Sequence, residues 1–123
     1  MMQDVVKVII PAKAEHLLVV RLATSGVCSR MGMGIEAMED AKAAAAEACL
    51  LLINDREGFE SLEVSFTAGE TLQVCVRGLG SGMQHSTEDI DYDFSLALLQ
   101  ALTDGLDLSP GCVTFRFGGG SAR

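Results

Sequence analysis

The segment from Glu36 to Asn54 constrains the fold most, because it consists largely of alanine and aliphatic residues. From Ala43 to Ile53 every residue is Ala, Cys, Leu or Ile, except Glu47. Ala and Leu have the highest helix propensities, so this composition predicts a helix before packing is considered. A carboxylate surrounded by so much apolar surface needs a partner or a function, which makes Glu47 the first candidate functional residue.

Helical periodicity divides this helix into two faces. At about 100° per residue, one apolar stripe is expected to face the core and comprises Met38, Ala41, Ala45, Ala48, Cys49 and Leu52. Glu47 lies off that stripe, on a face that it shares with Asp40, Ala44, Leu51 and Asn54.

The first part of the chain predicts a strand followed by a helix. Val5 to Ile10 is rich in β-branched residues and is closed by Pro11. Leu17, Val20, Val27 and Met31 then recur at helical spacing, and Gly32 or Gly34 is expected to end the helix. Gly26 inside this helix costs about 1 kcal/mol relative to Ala, so we expect close packing there.

The second part predicts a hairpin, a loop, a helix and a final strand. Residues 62–66 and 72–76 both alternate apolar and polar side chains, as the strands of a hairpin with one buried face do. Residues 78–93 are rich in Gly and Ser and predict a long loop. Helical character returns at 94–103, alternation returns at 113–117, and residues 118–123 are expected to form a flexible tail.

These elements predict a single α+β domain over residues 1–123. The expected architecture has two layers, with helices covering one face of a largely antiparallel sheet. The order of the elements is strand, helix, helix, strand, strand, loop, helix, strand, strand. A chain of this length can bury one proper hydrophobic core.

Composition and charge narrow the classes of function. The formal net charge of −8, with only nine scattered basic residues, argues against direct nucleic-acid binding and suits a basic protein partner. No apolar run approaches the ~18–20 residues of a membrane span, and we expect a cytoplasmic protein. The four cysteines form no C-x-x-C pair, so we expect reduced, buried thiols rather than a metal site or a disulfide.

Several short motifs resemble those of the anti-sigma-factor serine kinases of bacteria, which belong to the histidine-kinase-like ATPase superfamily. The resemblance extends over nearly the whole chain. It rests on Ile10-Pro11-Ala12-Lys13, Arg21-Leu22, Ser25-Gly26-Val27, Ser29-Arg30-Met31-Gly32, Glu39-Asp40 and Ala46-Glu47-Ala48-Cys49. It implies the Bergerat-type ATPase fold, in which three helices cover one face of a mostly antiparallel, mixed sheet.

The resemblance also implies where a nucleotide site would lie. Glu47 matches the family's catalytic base, and Leu51 takes the place of its Mg²⁺-binding asparagine, although an aliphatic side chain cannot ligate a hard cation. Asn54 shares that face but lies about 10 Å from Glu47 along the helix axis, two turns away rather than one. We therefore do not expect Asn54 to replace the missing ligand.

The remaining positions of the family's nucleotide site are also largely substituted. Val76-Arg77-Gly78-Leu79-Gly80 matches a motif that ends a strand, in which Gly78 replaces the adenine-binding aspartate and Gly80 is kept. Asp93 and Ser95 stand where the family has phosphate-binding glycines, and a carboxylate there would repel phosphate. We therefore expect no cofactor, with ATP and Mg²⁺ bound only if the altered site still has affinity.

Three functions remain open at this stage. The first is an anti-sigma-like regulator that binds a sigma factor or an anti-anti-sigma-type protein without kinase activity. For this function the resemblance implies a homodimer in which Arg21 faces the partner. The second is a serine kinase with an altered nucleotide geometry, in which Glu47 still acts as the base. The third is a small-molecule sensor that uses the vacant pocket.

Overall fold

A computed structural model describes residues 4–55, 58–81 and 92–118. In chain order the elements are strand β1 (Asp4–Pro11), a 3₁₀ turn (Ala14–His16), helix α1 (Leu17–Arg30), helix α2 (Ile35–Ile53), strand β2 (Ser61–Ala68), strand β3 (Leu72–Leu79), helix α3 (Tyr92–Leu102), strand β4 (Gly105–Ser109) and strand β5 (Cys112–Phe117). The predicted α+β class and the predicted order of elements are confirmed.

The five strands form one sheet in the order β1-β2-β3-β5-β4. All four strand pairings in this described sheet are antiparallel, so the parallel component of the expected mixed sheet is not found. Alternate residues of β2, β3 and β5 are buried under the helices, among them Phe66, Val76 and Phe115. The residues between them lie on the other face of the sheet and are mostly polar.

Helix α2 lies at the centre of the helical layer. It packs against α1, α3, β3 and β5, whereas α1 covers β1 and β2. The predicted stripe of α2 is largely buried, and burial extends beyond it to Ala44, Ala46 and Leu51. The stripe was therefore too narrow, because helices and strands cover α2 from several sides.

Gly32 ends α1, as predicted. It has a φ of +74°, which an L side chain rarely adopts, and its N–H donates to the Ser29 carbonyl while that of Met33 donates to Cys28. These two hydrogen bonds form a Schellman motif, which satisfies carbonyls at the helix end.

Three other sequence-based expectations need correction. Gly26 is exposed and a Cβ there would meet nothing within 4 Å, so the predicted close packing at this position is wrong. The predicted loop at 78–93 is too long at both ends, since β3 continues to Leu79 and α3 already begins at Tyr92. Most of that loop, at 82–91, and the predicted tail beyond Gly118 lie outside the described residues.

Within the described ranges no helix is long and apolar enough to cross a membrane.

The two glycines of α1 and its end should respond to substitution in opposite directions. Gly26→Ala should raise the free energy of unfolding by up to about 1 kcal/mol, because Ala favours an exposed helix position and nothing obstructs its Cβ. Gly32→Ala should lower it by about 1–2 kcal/mol, because of the left-handed backbone. Urea unfolding of both variants beside the unmodified chain checks the signs, and two shifts in the same direction would contradict this account.

Candidate functional site

Glu47 and Leu51 occupy neighbouring turns of α2 but differ in environment. Glu47 is half-buried, whereas the Leu51 side chain is 8% exposed and belongs to the hydrophobic core. The Glu47 carboxylate therefore keeps some access to solvent. Leu51 contributes apolar surface at the position where the resemblance implies a metal ligand.

Asn54 stabilises the end of α2 rather than the metal position. Its side-chain amide donates to the Leu50 carbonyl oxygen at 2.9 Å, and its backbone N–H donates to the same carbonyl at 3.0 Å. One side-chain and one backbone donor therefore satisfy a carbonyl that the helix leaves open at its C-terminus.

Phe59 covers Gly78 on the helix-facing side of β3. A Cβ built on Gly78 would lie 2.4 Å from two carbon atoms of the Phe59 ring, a distance that real Cβ atoms do not reach. The same ring lies 3.3 Å from the Cβ position of Gly111, and the Gly78 N–H donates to the Gly111 carbonyl oxygen at 2.9 Å. The space that an aspartate side chain would need at position 78 is therefore filled by an aromatic ring.

Sequence reasoning missed Phe59 as part of this site. Its only local signal is an aromatic residue shortly before β2, and nothing in the sequence relates it to Gly78 or Gly111. The contact arises because the start of β2 and the end of β3 are neighbours in the sheet, where Ser61 pairs with Leu79.

Gly80 follows β3 with a φ of +72°. A Cβ there would lie 2.7 Å from a carboxylate oxygen of Glu60, so the position combines an unusual backbone with a close approach. The Glu60 side chain can move aside, so the left-handed backbone is the structural reason that favours glycine at position 80.

Asp93 and Ser95 lie at the start of α3 and differ in exposure. Asp93 is exposed in the first turn, and Ser95 is only 5% exposed. A carboxylate in the first turn stabilises a helix by about 0.3–1 kcal/mol through the helix dipole, which gives Asp93 a structural role.

A cavity of about 320 Å³ lies between the end of α2, the start of α3 and the turn that joins β4 to β5. Its lining includes Leu51, Asp55, Tyr92 and Gly111. Leu51 is the one predicted site residue in this lining, and Glu47, Gly78, Gly80, Asp93 and Ser95 do not border this cavity. The volume falls at the lower end of the range of about 300–1,000 Å³ for small-molecule sites.

A search of the described residues finds no group of three or more His, Cys, Asp or Glu side chains that could hold a metal ion.

Arg21 lies on the exposed, outer face of α1. Val20, Thr24, Val27 and Cys28 form the buried face of this helix, while Arg21 is exposed next to Leu18 and Leu22. Leu18 is 64% exposed and Leu22 is 62% exposed. Arg21 forms no ion pair within the described part of the chain, so its guanidinium group is available to a partner.

The five-stranded antiparallel sheet with three helices is consistent with the histidine-kinase-like ATPase fold. No protein-family model matches the chain. The chain is 35% identical to the serine-protein kinase RsbW of Bacillus mycoides over 81 residues, which cover 63% of this chain and 51% of that protein. It is 42% identical to RsbW of Bacillus cereus over 74 residues, which cover 58% of this chain and 46% of that protein.

A longer match is to RsbW of Oceanobacillus iheyensis, at 29% identity over 125 residues, with 86% of this chain and 79% of that protein covered. The chain thus spans about half the length of two of these three relatives and more of the third. The fold and these matches together show that the chain is similar to the serine-protein kinases named RsbW.

An aspartate at position 78, where the resemblance implies one, should destabilise the protein unless the Phe59 ring is removed. Gly78→Asp should lower the free energy of unfolding by roughly 1–3 kcal/mol, because the new side chain collides with the ring. Phe59→Ala should also destabilise the protein. The double variant should lose less unfolding free energy than the sum of the two single losses, by at least about 0.5 kcal/mol. Urea unfolding of all four proteins measures this coupling, and strict additivity would contradict the contact.

Proposed function

We propose that the chain is an anti-sigma-factor-like regulatory domain that acts by binding a protein partner and does not transfer phosphate. The partner would be a sigma factor or an anti-anti-sigma-type protein, which would place the domain in the cytoplasm. The similarity to RsbW serine-protein kinases supports the regulatory class. The observation that supports the loss of catalysis is the Phe59 ring over Gly78, together with Leu51 in the core.

The interaction energies expected at Gly78, Leu51 and Asp93 favour weak or absent nucleotide binding. A hydrogen bond to a charged group contributes about 1.5–3 kcal/mol, so loss of the adenine contact at Gly78 would weaken binding by about 10- to 150-fold. Leu51 offers no oxygen to Mg²⁺. The negative charge of Asp93 would further oppose a phosphate placed beside it. Phosphoryl transfer depends on positioning and electrostatics, and all three changes reduce these contributions.

The exposed face of α1 supports a protein-binding function. Leu18, Arg21 and Leu22 are at neighbouring positions on one side of the helix, so a cation stands between two apolar side chains. Burial of an exposed leucine contributes about 1.5–3 kcal/mol, and a guanidinium group binds carboxylates through two hydrogen bonds. This combination fits a partner surface with an apolar groove and an acidic residue beside it.

The outer edge of the sheet supports the further proposal of a homodimer. β1 is an edge strand, and Val5, Val6 and Ile9 are 54%, 43% and 61% exposed. An exposed apolar edge strand can pair with another strand, and a second copy of the chain offers an identical one. Sedimentation equilibrium tests this proposal, since a monomer at micromolar concentration would contradict it.

Charge reversal at Arg21 should abolish partner binding without affecting folding. Purified sigma factors and anti-anti-sigma-type proteins of the same organism would be passed over the immobilised domain, and the partner's affinity should fall at least about 100-fold in Arg21→Glu. Arg30→Glu is the matched control, because Arg30 lies about two and a half turns further along the same helix, on the side opposite Arg21. Equal affinity of the Arg21→Glu and unmodified domains would overturn this role.

Isothermal titration with ATP and Mg²⁺ separates the regulator from a retained kinase. We expect no binding tighter than a dissociation constant of about 100 μM, for the energetic reasons above. The kinase alternative deserves the test because the relatives are named serine-protein kinases and the half-buried Glu47 is present. Tighter binding that disappears in Glu47→Ala would favour the kinase and contradict our proposal.

The cavity beside Leu51 favours a small-molecule sensor as a second candidate. Leucines and a tyrosine line it together with polar residues such as Asp55 and Ser109, so it suits a compact ligand that has both apolar and polar groups. Leu51→Trp would fill the cavity. A metabolite that raises the melting temperature of the unmodified domain but not of this variant would support the sensor.

A further inference from the structure

Two cysteines lie side by side on the face of the sheet that the helices do not cover. Cys75 is in the middle of β3 and Cys112 begins β5, and their sulfur atoms are 3.4 Å apart. Both side chains are partly exposed, and all four cysteines of the chain are free thiols. Sequence spacing does not reveal this pair, because 36 residues separate its members and only the pairing of β3 with β5 brings them together.

The surroundings of the pair are polar. Cys75 is opposite Thr114 in the register, and Cys112 is opposite Arg77. The Cys112 sulfur lies 3.8 Å from the Thr114 hydroxyl, and Arg77 is paired with Glu63 at 2.9 Å. Burial raises the pKa of the Cys75 thiol, and the Thr114 hydroxyl and the Arg77 charge offset part of this rise.

Cys28 and Cys49 provide an internal contrast. They are buried in α1 and α2, and burial raises the pKa of Cys28 to about 11 and that of Cys49 to about 12. The thiolate is the reactive form of cysteine, so these two residues combine poor access with a very small thiolate fraction near neutral pH. Reaction with a dissolved oxidant should therefore be confined to the exposed pair.

We propose that Cys75 and Cys112 are a redox modification site, which a two-electron oxidant such as hydrogen peroxide converts to an intramolecular disulfide. In the first step one thiolate attacks a peroxide oxygen, the O–O bond breaks, and a sulfenic acid and hydroxide form. In the second step the other thiolate attacks that sulfur, an S–S bond forms, and the S–O bond breaks with release of hydroxide. The two hydroxide ions take up the two protons that the thiols lost and become water. Overall, two thiols lose two electrons and two protons, and one peroxide becomes two waters.

The positions on the strands indicate that this bond is reversible. Residues diagonally related across two antiparallel strands are about 7–8 Å apart, whereas the α-carbons of a disulfide are usually about 4.4–6.8 Å apart. Closing the bond therefore requires a small adjustment of β3 and β5, and strained disulfides are more easily reduced than structural ones. A dithiol should restore both thiols by exchange.

Peptide mapping gives a direct test on the unmodified chain. The basic residues place the four cysteines in four different tryptic peptides, at 22–30, 43–56, 57–77 and 78–116. After treatment with about one equivalent of hydrogen peroxide and alkylation, we expect peptides 57–77 and 78–116 to be linked and two of the four thiols to be lost. The link should disappear on treatment with dithiothreitol, and the rate of its formation should rise with pH because the pKa of Cys75 is raised.

Single substitutions separate this pair from the other cysteines. Cys75→Ser and Cys112→Ser should each prevent the link and leave a sulfenic acid on the remaining partner, which dimedone traps. Cys28→Ala is the matched control and should cross-link as the unmodified chain does. Four intact thiols after peroxide treatment, a link that includes Cys28 or Cys49, a link only between two chains, or oxidation of the pair without a link would each overturn the proposal. Peptide mapping of the unmodified chain tests for the Cys75–Cys112 disulfide even if a variant fails to fold.

Discussion

The structure depends on the burial of α2 between the sheet and the other two helices. Ala41, Ala44, Ala45 and Ala48 are completely buried, and α2 contacts α1, α3, β3 and β5. Alanine allows neighbouring elements to come close to the helix backbone, and close-packed interiors tolerate little added volume. Because α2 is held in this way, the positions of Glu47 and Leu51 relative to the ends of the strands are fixed as well.

One aromatic contact determines the space available at the candidate nucleotide site. The Phe59 ring fills the space beside Gly78 and also approaches Gly111, so it joins the ends of β3 and β5 with apolar packing. An aspartate side chain at position 78 would have to displace this ring. Leu51 belongs to the hydrophobic core, and the cavity beside it lies open to solvent near Gly111, which the Phe59 ring also approaches.

The two faces of the sheet differ in the side chains that they present. One face is packed under the helices and holds the core around Phe66 and Phe115. The other presents cross-strand partners such as Glu63 and Arg77, together with the Cys75 and Cys112 thiols. Partner binding, by contrast, is proposed for the outer face of α1. Regulation by oxidation and recognition by Arg21 would therefore involve separate surfaces of the same small domain.

The sequence by itself determined the elements of this protein and the class of fold. The alanine content predicted α2, the alternation of apolar and polar residues predicted β2, β3 and β5, and Gly32 predicted the end of α1. Each of these signals could be read from the sequence because it acts over a few neighbouring residues. The resemblance of short motifs pointed to the same class of kinases as the proteins to which the chain is similar.

Only the tertiary structure decided the features that depend on residues far apart in the chain. It extended the buried surface of α2 to Ala44 and Leu51, left Gly26 exposed, placed Phe59 over Gly78 and brought Cys75 beside Cys112. Periodicity describes a helix or strand in isolation. How far each face is covered, and which side chains meet, is set by the order and register of the strands.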